Sequence, residues 1–270
     1  IGDCIDIWRK KESRKTRGYI DFALTNAIPL YENQKKYGKT YLTPAGYISK
    51  KTIEALRKID FTNGTSKTVL FIGTITWRIN GRLLLQLVDQ MDDFKFVFVG
   101  TELFDYNLEN KPESFKKRDK IAREQWKTLQ AKPNVEYLEL ANQEMFSSLD
   151  IKANIGIITA DPEIPFNKFC HPLKIYHYFS MGLPVVSTKI KSILKYSSKF
   201  VQFAENDEEF STLIRKLSTV TISNRERDKM VRLALKQTYE DKAKSVIKVI
   251  DKEVKKHREN PKRSRSALEA

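Results

Sequence analysis

Cysteine, histidine and long apolar runs are all scarce in this chain. Its two cysteines, Cys4 and Cys170, lie far apart among 270 residues and fit neither a disulfide framework nor a metal site. A reducing, cytoplasmic setting is the default for such usage. The three histidines (His171, His177 and His257) form no cluster with cysteine, so no zinc site, and no other metal or cofactor, is expected. No apolar run approaches the roughly 20 residues that span a bilayer. The start, Ile1-Gly2-Asp3-Cys4, has neither an initiator methionine nor a signal-peptide pattern, and reads as lying inside a longer frame. The ending, Ser266-Ala267-Leu268-Glu269-Ala270, reads as a vector remnant.

Acidic residues are also in deficit, 34 against 49 lysines and arginines, for a net charge of +15. The excess gathers in Arg9-Lys10-Lys11 with Arg14, Lys15 and Arg17, and again from Lys252 to Arg265. Such a balance fits an anionic partner: nucleic acid, an anionic membrane face or a phosphate-rich ligand. It fits a plain solvated surface as well. The basic runs lack interleaved aromatics and match no nucleic-acid reader motif, which disfavours nucleic acid.

Strand and helix signals alternate from Lys67 to Arg258, the pattern of an α/β domain with a parallel sheet. Val69-Leu70-Phe71-Ile72, ending in Gly73, and Phe96-Val97-Phe98-Val99, ending in Gly100, read as buried strands. Further strands are expected at 135–138, 154–158, 184–188 and, more weakly, 200–203. Leu83, Leu84, Leu87, Val88 and Met91 at helical spacing predict a helix over 81–91. Others are expected at 113–130, 143–149, 207–217, 224–237 and 240–256. Ahead of residue 67 come a strand at 20–25, a short helix at 29–37, a strand at 40–43 and a bridging helix at 49–59. That βαβ piece is too small to bury its own faces.

The most informative stretch runs from His171 to Thr188. Pro172 suits a first helical position, Gly182 the left-handed residue that closes a helix, and Pro184 a stop before the strand Val185-Val186. Lys174 lies in the first turn, at the positive end of the dipole, where a cation belongs only if an anion sits with it. His177, three residues on, shares its helical face. A snorkelling surface lysine and a hydrogen-bonded helix histidine are the plain alternatives. Gly73 and Thr74 end the first strand, where ligands of open α/β sheets bind; such a glycine also serves simple tight turns.

Together these features resemble the C-terminal half of GT-B fold glycosyltransferases, in the group related to families one and four. Those families carry Pro-x-Lys-x-x-Glu-Tyr-x-Ala-x-Gly-x-Pro-Val-Val, against Pro172 to Val186 here, and Gln237-Thr238-Tyr239-Glu240 is similar to their Trp-Glu lead into a crossover helix. The likeness covers about residues 20–258. It implies a Rossmann-like parallel sheet with helices on both faces. It also implies residues 1–48 as a remnant of an acceptor domain, 49–238 as the nucleotide-sugar domain, 239–258 as the crossover helix and 259–270 as a basic tail.

The implied activity is metal-independent transfer of a sugar from a nucleotide-diphospho-sugar to an acceptor hydroxyl on a glycan, a lipid-linked or a small molecule. Lys174 and the helix end at His171-Pro172 would hold the diphosphate, with Gly73 and Thr74 facing it. Arg78 or Arg82 would supply a second cation, and the loop 139–142 with Leu140 would line the base. His177 stands where those families have the glutamate that binds ribose. No catalytic base is identifiable. The basic ends fit the inner face of an anionic membrane. The alternatives are a non-catalytic or incomplete GT-B module that works with a partner domain, and a basic nucleic-acid-binding protein.

Overall fold

The computed structural model describes residues 22–43, 46–57, 67–104, 109, 111–139, 151–161, 164, 167 and 170–259. The expected helix at 143–149, Leu140 and the tail from 260 lie outside the described residues.

A short strand β1 (Ala23–Thr25) leads through helix α1 (Ile28–Gln34) and a 3₁₀ turn (Lys35–Tyr37) to β2 (Thr40–Leu42). The two strands pair in parallel as a sheet of their own. Helix α2 (Lys50–Arg57) bridges to the main body. There β3 (Thr68–Ile72), α3 (Gly81–Gln90), β4 (Lys95–Gly100), α4 (Glu113–Gln130), β5 (Val135–Glu139) and β6 (Ile155–Ile158) follow one another. Then come α5 (Lys174–Met181), β7 (Val185–Thr188), β8 (Val201–Ala204), α6 (Asp207–Ser218), α7 (Asn224–Leu235) and α8 (Tyr239–Glu259).

The main sheet is all parallel, in the order β5-β4-β3-β6-β7-β8. Chain order reverses between β3 and β6, the switch point at which doubly wound sheets open a crevice for ligands. Alternation along β3 sorts the core. Leu70 and Ile72 join α2, α5 and α7 on one face, while Val69 and Phe71 join α3, α4 and α6 on the other. Both faces are covered, which is why β3 and β4 read as unbroken apolar runs.

One boundary differs from expectation in a way that matters. Pro172 is not the first helical residue; α5 begins at Lys174, with Leu173 as its cap. The Ile175 and Tyr176 N–H groups donate to the carbonyls of Pro172 and Leu173, three residues back, so a tight 3₁₀-like turn precedes the regular helix. Lys174 is therefore the first residue of the helix proper. Gly182 does close it, at φ 67° and ψ 26°, with its N–H on the Phe179 carbonyl at 3.0 Å.

Candidate functional site

Strand β3 pairs with β6 only through Val69↔Ile155 and Leu70↔Gly156. Beyond that register Tyr178 of α5 takes over the seam. Its hydroxyl donates to the Ile157 carbonyl (2.7 Å) and accepts from the Ile72 N–H (3.1 Å). One buried side chain thus satisfies both parting strands and fixes α5 over the switch point. Sequence reading gave Tyr178 no such role, because a tyrosine beside an apolar helix face looks like core.

At the carboxyl ends of β3 and β6 lies a cavity of about 400 Å³, lined among others by Thr74, Thr76, Arg78, Thr159, His171 and Lys174. Pro172 and Leu173 complete its helix wall, and Asn26, just past β1, also lines it. Gly73 adopts φ 130°, open only to glycine, and a Cβ there would come 3.4 Å from both Cε and Nζ of Lys174. The lysine thus lies across the strand end, its Nζ 3.7 Å from the Phe71 ring centroid. Among the described residues no carboxylate lines this cavity, and none lies within ion-pair distance of Lys174. Burial pushes the Lys174 ammonium down to about 7, with Cys170 acting in the opposite sense and Arg78 adding to the depression. Burial likewise holds the Arg78 guanidinium below its ordinary value. Thr76 Oγ1 accepts from the Arg78 backbone N–H at 3.2 Å and from its Nε at 3.5 Å.

The two histidines contribute no charge. His171 lines the cavity with Nε2 2.7 Å from the Tyr176 hydroxyl, and burial, then Lys195 and Lys242, bring its imidazole down to about 4. His177 is only 8% exposed and sits behind the wall, edge-on to Tyr47 with ring centroids 5.2 Å apart. Burial, helped by Lys174, brings it too down to about 4. The structure therefore gathers Thr74, Arg78, His171, Pro172 and Lys174 on one cavity with Gly73 beside them, and sets His177 apart. Arg82, the alternative second cation, points elsewhere, bonded to Asp207 at 2.6 Å. Asn26, Thr76 and Thr159 join the cavity unannounced. Only Thr159, directly after a buried strand, carried any signal.

Among the described residues no cluster of histidine, cysteine, aspartate and glutamate could hold a metal ion, and no helix is long and apolar enough to cross a membrane. No family model matches the chain, and no curated protein matches it in sequence. Solved structures do match its fold. HepE from Anabaena, in complex with UDP and glucose, aligns with a TM-score of 0.59 at 13% identity, over 93% of this chain and 70% of that one. A UDP-forming α,α-trehalose-phosphate synthase from Burkholderia vietnamiensis aligns at 0.61 and 9%, over 89% and 62%. A sucrose-phosphate synthase from Thermosynechococcus elongatus aligns at 0.55 and 11%, over 89% and 60%. The chain thus spans 60–70% of the length of these proteins. With its six-stranded parallel sheet between two helical layers, it has the Rossmann-like GT-B fold of those glycosyltransferases.

Proposed function

We propose that the chain is the donor-binding part of a glycosyltransferase, taking a nucleotide-diphospho-sugar and delivering its sugar to an acceptor hydroxyl without a metal ion. The observation that carries this reading is Lys174, a desolvated ammonium at the first residue of α5, laid against Gly73 with no carboxylate partner among the described residues. A cation held out of water at the positive end of a helix dipole stabilises an anion. Arg78 on the facing loop makes the cavity suited to a diphosphate rather than a single carboxylate.

Breaking the bond between sugar and diphosphate places growing negative charge on the leaving oxygen. Lys174, Arg78 and the positive end of α5 meet that charge from fixed positions in a partly dry site. Neutral His171 lends the cavity wall a polar ring without adding charge. Ribose and base contacts would fall to the residues around the cavity mouth, because His177 lies behind its wall. The reading carries with it a cytoplasmic setting and contact of the lysine-rich ends with an anionic membrane face.

Thermal shift with UDP-, GDP- and ADP-glucose is the direct test. One nucleotide sugar should raise Tm in proportion to the logarithm of its concentration. No stabilisation by any of the three overturns the reading.

A further inference from the structure

A larger opening, about 890 Å³, lies on the side of the sheet covered by α3, α4 and α6. It is at the upper end of the roughly 300–1,000 Å³ range of small-ligand sites. Its walls are the start of α3, one face of α4, the ends of β7 and β8 and the start of α6. Ile79 lines both this groove and the Lys174 cavity, and Ala160 lines the cavity while the next residue, Asp161, lines the groove. The two spaces therefore adjoin across the loop 77–80.

Their chemistries differ. The groove lining contains four cations and four carboxylates, and two of the cations are already neutralised, Arg82 by Asp207 at 2.6 Å and Lys189 by Glu205. A net-neutral lining gives no preference for a strongly charged ligand. What it offers instead is an indole and planar amides. Trp77 is half-buried and held edge-on by Phe115, with ring centroids 5.0 Å apart. Gln86 and Gln125 supply side-chain amides, and Gln125 lies against Gly81, where an added Cβ would fall 2.3 Å from its Oε1. An indole receives the C–H face of a pyranose ring, while amides and carboxylates exchange hydrogen bonds with its hydroxyls.

We infer that this groove is a binding site for a neutral oligosaccharide, with Trp77 as its platform and Gln86 and Gln125 as hydroxyl readers. The groove is a separate space from the Lys174 cavity, and this inference goes beyond the donor reading without depending on it.

The test applies the intact chain to an array of neutral and acidic oligosaccharides, followed by calorimetry with a neutral hexasaccharide that binds. Trp77→Ala should weaken binding tenfold or more, and Gln86→Ala, which leaves the Trp77–Phe115 contact in place, by severalfold. Both variants should keep the nucleotide-dependent Tm shift, which shows that the domain is folded. Neutral glycan binding lost in both variants supports the inference. Binding of acidic glycans alone, or neutral binding unchanged in both variants, overturns it. Absence of all glycan binding while the nucleotide shift persists overturns this inference and leaves the donor reading standing. Absence of both responses overturns the two together.

Discussion

The cavity and the groove sit side by side at the carboxyl ends of one sheet and solve opposite electrostatic problems. In the cavity, burial strips water from Lys174, and among the described residues no carboxylate pairs with it. In the groove, cations and carboxylates are balanced and partly bonded to one another. An uncompensated cation costs stability unless an anion arrives, and this cost is what supports the donor reading of the cavity. Balanced charge around an indole costs little and selects shape and hydroxyl pattern instead. The lesson is that an overall charge of +15 says less about ligands than where the unneutralised charge lies.

Removing Lys174 should break the contrast most sharply. Lys174→Met fills the same space without the charge, and should lower nucleotide-sugar affinity by roughly a hundredfold, the effect of about 3 kcal/mol for a lost charge-assisted contact. Glycan binding in the groove should be unchanged. Because the native ammonium is held below its ordinary value, the variant should also melt higher than the parent near pH 6, where the parent's lysine is charged. Calorimetry and thermal melts on the same preparation check both. Full nucleotide affinity in Lys174→Met would show that the lysine does not contact the ligand.

The second effect is a pH dependence confined to the cavity. With Lys174 at about 7 in the free protein, an anionic ligand must raise that value on binding. Affinity for the nucleotide sugar should be flat below pH 7 and fall towards tenfold per pH unit above it, with proton uptake on binding. Calorimetry in two buffers of different ionisation enthalpy between pH 6.5 and 8.5 measures both. The groove should show no such slope.

Third comes acid stability. His171 and His177 are held at about 4 against an ordinary 6.5, so the unfolded chain binds more protons in between. Their contribution is fully present above pH 6.5 and is lost as pH falls towards 4. Each histidine accounts for about 3 kcal/mol at most over that window. His177→Leu should remove about half of the loss, as denaturant titrations at pH 4.5 and 7 would reveal. An unchanged acid slope would show that His177 titrates normally.

Much of this frame was legible beforehand, and the reasons are local. Helix α4 falls at 113–130 as expected, and β3 and β4 sit where their apolar runs place them. Gly182 closes α5 because only a residue at ease with positive φ fits there. The cavity was partly legible, since Gly73, Thr74, Arg78 and Lys174 all come from short motifs at strand or helix ends. His177 was not placed by its spacing. Every residue of α5 after Lys174 is buried, so sharing a face with the lysine does not bring a side chain to the cavity. Asn26, Tyr178 and the groove escaped for a common reason: each depends on segments brought together from distant parts of the chain. Trp77, Gln125, Thr188 and Asn206 share no pattern until the sheet twists them around one opening.

The smallest expected effect separates the two sites through the β1–β2 sheet. Two strands alone are marginal, and Leu24 and Leu42 remain exposed on them. Glu253 of α8 ties this piece down, accepting from the Tyr41 hydroxyl at 2.6 Å and pairing with Lys39. The bond from Lys39, then that from Tyr41, holds its carboxyl below the ordinary carboxylate value. Glu253→Gln keeps the shape but removes the charge, at a cost of about 1 kcal/mol. The change reaches the cavity only through Asn26, which follows β1 by one residue. Nucleotide-sugar affinity should therefore drop two- to threefold while glycan binding in the groove stays the same. An equal loss at both sites would show that the small sheet supports the whole domain and not the cavity wall alone.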